Sequence, residues 1–279
     1  MLTDAGHRRL PALPTPRDPL EAPTVGDWLA ITDTDVHSVL PRRTLLARGA
    51  SSGTSTAQPL AANVDVVLIC AGLVGPPPVR RIERLLTLSW ESGATPVVVL
   101  TKADLCADIE AAVGAVLPHA PGADVIAVSA ATGDLDALRR YVVEGATLAL
   151  LGSSGAGKST LVNTLAGASV MATNDIRDVD GKGRHTTSHR ELIVLPNRAV
   201  IVDTPGLRGV ALYAPGEGLS RAFAEVEELA SACRFADCHH TGEPGCAITA
   251  SVEAGDLAPA RVDSWRKLQR ELALSLIHI

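Results

Sequence analysis

Aromatic residues are scarce in this chain of 279 residues, which contains only two Phe, two Tyr and three Trp. It also has no uninterrupted run of about 18 apolar residues, the shortest length that suits a membrane-spanning helix. The N-terminus carries acids and prolines where a secretory signal needs an apolar core. These absences argue against an aromatic surface for stacking nucleobases and against a membrane partner, and we expect a cytoplasmic protein.

Basic residues are outnumbered by acidic residues, 25 to 31, which gives the chain a net charge of -6. A protein that coats nucleic acid nonspecifically needs a basic surface to neutralise phosphates. Residues 1–60 are neutral, with six Arg against six Asp plus Glu, and no basic patch is evident along the sequence. The composition therefore argues mildly against nonspecific nucleic-acid binding, although it does not exclude a local basic face.

Cysteines are few and odd in number, five in all, so complete pairing in disulfides is impossible. Cys70 and Cys106 lie in apolar or loop contexts and are predicted to be packing residues. The other three lie between residues 233 and 246 beside histidines, which favours metal ligation in a reducing compartment.

That cluster reads Cys233-x4-Cys238-x-His240-x5-Cys246. Three thiolates and one imidazole satisfy the tetrahedral demand of a structural zinc ion and leave no open position for catalysis. His239 is expected to point elsewhere. The alternative is a set of buried cysteines without metal.

Apolar periodicity divides the chain into three predicted regions. Residues 1–61 contain a Pro-rich leader and an alternating segment at 25–31 that suits a strand, with little helix expected. In residues 62–212, apolar runs alternate with helical stretches, which predicts an α/β domain with a parallel sheet covered by helices on both faces. Residues 213–279 are predicted to be helical around the Cys/His cluster.

A glycine-rich segment at residues 152–160, GSSGAGKST, follows an apolar strand and opens a predicted helix. This is the context of a phosphate-binding loop, in which backbone N–H groups and a helix N-terminus surround phosphates. Lys158 is expected to meet the β and γ phosphates and Ser159 to offer its hydroxyl to Mg²⁺. The predicted contacts are Gly152, Ser153, Ser154, Gly155, Ala156, Gly157, Lys158, Ser159 and Thr160. A simple turn between strand and helix is the alternative.

Two further segments fit nucleotide switching. The strand at 199–202 ends in Asp203-Thr-Pro-Gly206, where Asp203 is expected to hold Mg²⁺ through water and the Gly206 amide to sense the γ-phosphate. Before it, the polar stretch that contains Thr186 and Thr187 suits a segment that orders when nucleotide and metal bind. A solvated loop is the alternative for both, and Asp-x-Pro-Gly is also ordinary turn chemistry.

Base choice is predicted from residues 101–104, TKAD, which follow a strand. The Asp104 carboxylate can accept two hydrogen bonds from guanine, which adenine cannot offer, while Lys102 lays its stem along the base. Thr101 occupies the position of the usual Asn that ties this loop to the phosphate loop. Ser129 and Ala130 follow another strand and are expected to contact the base.

The predicted guanine segment at 101–104 precedes the phosphate loop at 152–160 in the sequence. This order is that of a circularly permuted GTPase.

The order TKAD, SA, GSSGAGKST, HTT and DTPG followed by a Cys/His cluster resembles the RsgA family of ribosome-dependent GTPases. The segments VGDW, LPRR and AANVD at residues 25–28, 40–43 and 61–65 extend the resemblance. It implies an N-terminal OB-fold, a circularly permuted GTPase domain and a helical domain with one structural zinc ion. It also implies GTP hydrolysis with Mg²⁺, stimulated by the small ribosomal subunit and its rRNA during late subunit maturation. We expect a monomer.

The sequence departs from the family pattern at both ends. Too few residues precede VGDW to build the early OB strands, so the OB-fold is expected to be partial. Residues 274–279 look foreign, and the natural C-terminal helix is expected to be cut off at about Ala273. Two other classes stay open: another P-loop enzyme, such as an ATPase or a kinase, and a noncatalytic RNA-binding module that contains nucleotide and zinc.

The residue that positions water is absent from its usual place, because position 207, directly after DTPG, is Leu rather than Gln. The resemblance assigns this role to His185, in the HTT segment. We predict that His185→Ala lowers subunit-stimulated GTP turnover by about 100-fold, the usual loss for a general base. Turnover that stays within about twofold of the unchanged protein would rule out the catalytic role.

Overall fold

The N-terminal region consists of short antiparallel strands. The computed structural model of the protein describes residues 2–3, 6–11, 13, 16–49, 57–171, 192–202, 212 and 217–277. The strands are β1 (Leu2–Thr3), β2 (Gly6–His7), β3 (Leu29–Ile31), β4 (Val36–Val39), β5 (Leu45–Gly49) and β6 (Ala57–Ala62). They form three two-stranded ladders, β1–β2, β3–β4 and β5–β6. In the described part of this region the helical content is one 3-10 turn, Pro19–Glu21, as predicted.

A buried ion pair holds the two sequence signatures of this region together. Arg42 donates to both carboxylate oxygens of Asp27, at 2.7 and 2.8 Å, and also to the backbone oxygen of Ala22 at 2.8 Å. The Asp27 side chain is only 2% exposed. A bidentate pair of this kind fixes geometry as well as charge, so VGDW and LPRR are joined by their own Asp and Arg.

The central domain is a six-stranded sheet with interleaved helices. Its elements are β7 (Val66–Gly72), α1 (Val79–Glu91), β8 (Thr95–Thr101), α2 (Ile109–Val116), β9 (Asp124–Ala127), β10 (Thr147–Leu151), α3 (Lys158–Ala166), β11 (Leu192–Val194) and β12 (Val200–Val202). The strand order is β11-β12-β10-β7-β8-β9. All neighbours are parallel except β11 and β12. The predicted parallel sheet is confirmed.

Successive side chains of the central strands point to opposite faces of this sheet and are buried on both. On β7, Val67 and Ile69 belong to the apolar cluster that includes Leu86 of α1. Leu68 belongs to the other cluster, which includes Leu161 of α3. Because both faces are covered, the strands are apolar on both sides, which explains their continuous apolar runs in the sequence.

The C-terminal region is helical, as predicted. It contains α4 (Glu217–Ala222), α5 (Ala224–Ser231), α6 (Ala247–Ala254) and α7 (Pro259–Ile277). Residues 274–277, which look foreign in the sequence, continue the helix α7. Within the described parts of the chain, none of the helices combines the length and the apolar character that a membrane span requires.

A buried cluster of polar side chains around Glu83 connects this helical region to the central domain. Glu83 of α1 is 1% exposed and accepts from Arg261 of α7 at 2.9 Å, and from Ser264. His119 lies 2.6 Å from the same carboxylate. Burial alone would raise the pKa of Glu83, but hydrogen bonds from His119, Ser264 and Arg261 outweigh it and lower that pKa. The carboxylate therefore stays charged, and α1 and α7 are held in a fixed relation.

Candidate nucleotide-binding site and metal centre

The glycine-rich loop after β10 has a backbone that only glycine accommodates at its start. Gly152 has φ +146°, and a Cβ there would lie 2.3 Å from the backbone oxygen of Cys70 in β7. Gly157, with φ +80°, ends the loop and directly precedes α3. Burial raises the pKa of the Cys70 thiol to about 12, so this residue is an uncharged packing group below the loop, as predicted.

The Lys158 side chain folds back onto the start of the same loop. Its Nζ donates to the backbone oxygens of Gly152 at 2.8 Å and Ser153 at 2.7 Å. Ser159 and Thr160 occupy the next positions, in the first turn of α3. A cation beside the N-terminus of a helix suits a phosphate group, since both contribute positive potential at one point.

Thr101 ties the guanine segment to the phosphate loop. Its buried hydroxyl donates to the backbone oxygen of Ala156 at 2.7 Å. A Cβ on Gly157 would lie only 3.2 Å from the same hydroxyl oxygen. Thr is shorter than the Asn that usually stands at this position, but the two loops approach so closely that the Thr101 hydroxyl reaches the phosphate loop. The hydrogen bond between the loops is therefore present with Thr.

Lys102 and Asp104 are positioned by the turn that follows β8. Lys102 adopts a left-handed backbone, with φ +59°, and its Cδ lies 3.5 Å from where a Cβ on Gly72 would stand. The lysine stem therefore packs beside Gly72, next to the backbone of Gly155 and Ala156 in the phosphate loop. Asp104 accepts a hydrogen bond from the Ser129 hydroxyl at 2.5 Å. The carboxylate is therefore oriented by the second predicted base-contacting loop.

The loop at 129–130 is in turn connected to the phosphate-binding helix. The backbone oxygen of Ala130 accepts from the hydroxyl of Thr164 in α3 at 3.3 Å. The sheet order explains this convergence, because β8 and β10 are the two neighbours of β7 and all three run parallel. Their carboxyl ends share one edge, where ligands of open α/β sheets bind.

The structure thus brings together the predicted base and phosphate contacts within residues 101–104, 129–130 and 152–160. Five other predicted site residues, namely His185, Thr186, Thr187, Asp203 and Gly206, lie outside the described residues. Their roles remain predictions from the sequence.

The Cys/His cluster is also assembled. The ligand atoms of Cys233, Cys238, His240 and Cys246 all lie within 4.8 Å of one another. The Cys233 sulfur is 3.4 Å from Nδ1 of His240 and 4.0 Å from the Cys246 sulfur. Zn–S bonds of about 2.3 Å and Zn–N bonds of about 2.0 Å at tetrahedral angles require similar separations. The donor set therefore fits zinc.

Backbone N–H groups support the thiolate form of Cys233 and Cys246, whereas burial raises the pKa of the Cys238 thiol to about 11. Ala247 N–H points to the Cys233 sulfur and Thr249 N–H to the Cys246 sulfur, each at 3.4 Å. Burial raises the pKa of the Cys246 thiol, but hydrogen bonds from Thr249 and from His240 overcome it, and the pKa falls to about 6. A thiol that ionises readily is a better metal ligand.

Sequence reasoning missed the residues that shape this centre. Glu243 accepts from the backbone N–H groups of Thr241 at 2.6 Å and His239 at 3.1 Å. Its own backbone N–H and these donors lower the pKa of Glu243 to about 2. Trp265 of α7 packs against the His240 ring with centroids 5.6 Å apart. Only the position of Glu243 within the ligand segment could have signalled a role.

The fold and this site define a circularly permuted GTPase, in which the guanine segment precedes the phosphate loop. A model of the RsgA GTPase family matches residues 39–213. The chain is 51% identical over 268 residues to the Small ribosomal subunit biogenesis GTPase RsgA of Streptomyces coelicolor, covering 93% of this chain and 73% of that protein. The chain belongs to the RsgA GTPase family.

Other relatives agree with this assignment. Small ribosomal subunit biogenesis GTPase RsgA 2 of Lactiplantibacillus plantarum is 45% identical over 261 residues, covering 91% of this chain and 73% of that protein. The crystal structure of YjeQ from Thermotoga maritima matches with a TM-score of 0.60 at 27% identity, covering 86% of this chain and 78% of that one. YloQ, described as a circularly permuted GTPase, matches with a TM-score of 0.61 at 26% identity, covering 90% and 81%.

The Thr101 link yields a direct test. Thr101→Val keeps the shape of the side chain but leaves the Ala156 oxygen without its donor, a loss of about 1–3 kcal/mol for a buried group. We expect the dissociation constants for GTP and GDP to rise about tenfold, measured by titration calorimetry. Thr101→Ser, which retains the hydroxyl, is the control and should stay within about threefold. Equal affinity in all three proteins would show that the link does not organise the site.

Proposed function

We propose that this protein hydrolyses GTP in support of small ribosomal subunit biogenesis, with the subunit as its stimulating partner. The observation that carries the proposal is the hydrogen bond from Thr101 to Ala156, which joins a guanine-reading loop to a phosphate loop across a permuted sequence. The names of the relatives supply the biological role. The family membership and the site geometry support the same conclusion.

Guanine selection would rest on Asp104. Its carboxylate accepts from N1–H and the exocyclic amine of guanine, while the Ser129 hydroxyl holds it in place. An adenine presents no such pair of donors, so the carboxylate would lose hydrogen bonds with ATP. The Lys102 stem beside Gly72 would cover one face of the base.

Phosphate chemistry would take place over the loop at 152–160. Backbone N–H groups and Lys158 would bind the β and γ phosphates, and Ser159 together with Asp203 would hold Mg²⁺. Water then attacks the γ-phosphorus, the bond to the β–γ bridging oxygen breaks, and GDP and phosphate leave. When bound by these residues, magnesium would supply charge neutralisation on the phosphates, and His185 would orient the water.

The Cys/His cluster would hold one structural zinc ion. With four protein ligands the ion has no open position, so its contribution is to the folding of residues 233–246 rather than to hydrolysis. The separations of the four ligand atoms and the two backbone N–H donors support this proposal. A reducing cytoplasm, where thiolates remain unpaired, suits such a site.

The function is tested by turnover measurements. We expect GTP hydrolysis to increase at least tenfold when purified small subunits are added, and ATP to be hydrolysed far more slowly under both conditions. The Asp104→Asn variant should prefer xanthosine triphosphate to GTP. The Asn side-chain amide can donate a hydrogen bond to the xanthine carbonyl that replaces the exocyclic amine of guanine. Glu110→Gln, a change on the exposed face of α2, is the control. Equal use of ATP and GTP would contradict the proposal.

The zinc proposal is tested by metal analysis and thermal unfolding. We expect one zinc ion per chain, lost in Cys246→Ser together with a fall in Tm of roughly 10 °C or more. Cys106→Ser changes a cysteine outside the cluster and should keep both zinc and Tm. A chelator that leaves unfolding unchanged would defeat the assignment.

A further inference from the structure

A basic cleft lies between α1 and α7, on the side of the zinc centre. It encloses about 720 Å³, and its lining includes two arginines of α1 and three cations of α7. They are Arg80, Arg84, Arg266, Lys267 and Arg270. A single carboxylate, that of Asp263, lines the same space. This is a strong local excess of positive charge on a chain whose net charge is -6.

Helical spacing and domain docking together create the cleft. Arg80 and Arg84 are four residues apart on α1, as are Arg266 and Arg270 on α7, so each pair lies on one helix face. The buried Glu83–Arg261 ion pair fixes the two helices relative to each other. Both walls are therefore parts of regular helices, which makes the cleft a preformed feature.

The charges of this cleft are only partly neutralised within the chain. Arg84 pairs with Glu271, and Arg266 lies 4.0 Å from Asp263. Arg80, Lys267 and Arg270 are exposed and have no carboxylate partner among the residues that the structure describes. Three cations held close together without counter-charges favour binding of a polyanion.

We propose that this cleft binds the phosphate backbone of the small-subunit rRNA, an inference that rests on the proposed function. Guanidinium groups match phosphate oxygens in geometry as well as charge. The described lining contains no Phe, Tyr or Trp, and His239 is its one ring on which a base could stack. The five cations of the lining therefore favour contact with the RNA backbone over readout of base sequence.

The cleft is a local basic face of the kind that the composition left open. Its two walls come from residues 80–84 and 266–270, which are far apart in the sequence. Each segment carries three basic residues in five. The packing of the two helices combines them into one concentrated positive surface.

The test compares two double variants of the full chain. Lys267→Ala/Arg270→Ala removes unpaired cations from the cleft, whereas Arg139→Ala/Arg140→Ala removes two exposed arginines outside it. Binding to purified small subunits and to their protein-free rRNA is measured over a range of KCl concentrations. Arg80→Ala adds a change on the opposite wall.

We expect the cleft variant to bind both probes at least tenfold more weakly at about 0.1 M salt, with a salt slope shallower by about one for each phosphate that the variant no longer neutralises. Arg80→Ala should weaken binding further. The control variant should match the unchanged protein, and GTP turnover without subunits should stay within about twofold in every variant. Zinc content and Tm verify folding.

Two results would overturn the inference while leaving the proposed function intact. One is unchanged affinity of the cleft variant for subunits that stimulate the unchanged protein. The other is weaker binding to intact subunits with no change on protein-free rRNA, which would make the occupant a protein. If the unchanged protein neither binds subunits nor responds to them, the proposed function itself fails.

Discussion

The hydrogen bond between the Thr101 hydroxyl and the Ala156 oxygen is the constraint on which the site depends. It joins residues 55 positions apart in the sequence, at the ends of two strands that both flank β7. Since a nucleotide contacts base and phosphate loops together, their separation must be held to a fraction of an ångström. The buried hydroxyl does this with one bond, and Gly157 permits the close approach. Permutation of the sequence leaves this geometry intact, because it changes the connections between strands and not their neighbours.

The same sheet also connects the nucleotide site to the C-terminal helices. Helix α1 links β7 to β8, and its residue Glu83 accepts a hydrogen bond from Arg261 of α7. Glu271 of α7 accepts from the backbone N–H of Leu212 at 3.2 Å and pairs with Arg84 of α1. Leu212 follows closely after the DTPG segment in the chain. The helices beside the Cys/His cluster, the basic cleft and the region after the predicted switch therefore share one set of contacts through α1 and α7.

Much of the fold followed from local pattern. Strands buried on both faces have continuous apolar runs, and the loop at 152–160 carries its own glycine and lysine signature, so both were predicted correctly. The four candidate metal ligands lie within fourteen residues, and the structure places them together as the sequence predicted. The supporting residues were not, because the role of Glu243 depends on the bend of its loop and that of Trp265 on the packing of a distant helix.

The sequence by itself determined the element types, the order of the motifs and the chemistry of the donors, because these depend on residues close together in the chain. Tertiary structure alone decided whether Thr101 reaches the phosphate loop and whether scattered arginines form one surface. Those outcomes depend on distances between residues such as Glu83 and Arg261, 178 positions apart. Such distances are set by the packing of whole helices and strands, which no local pattern encodes.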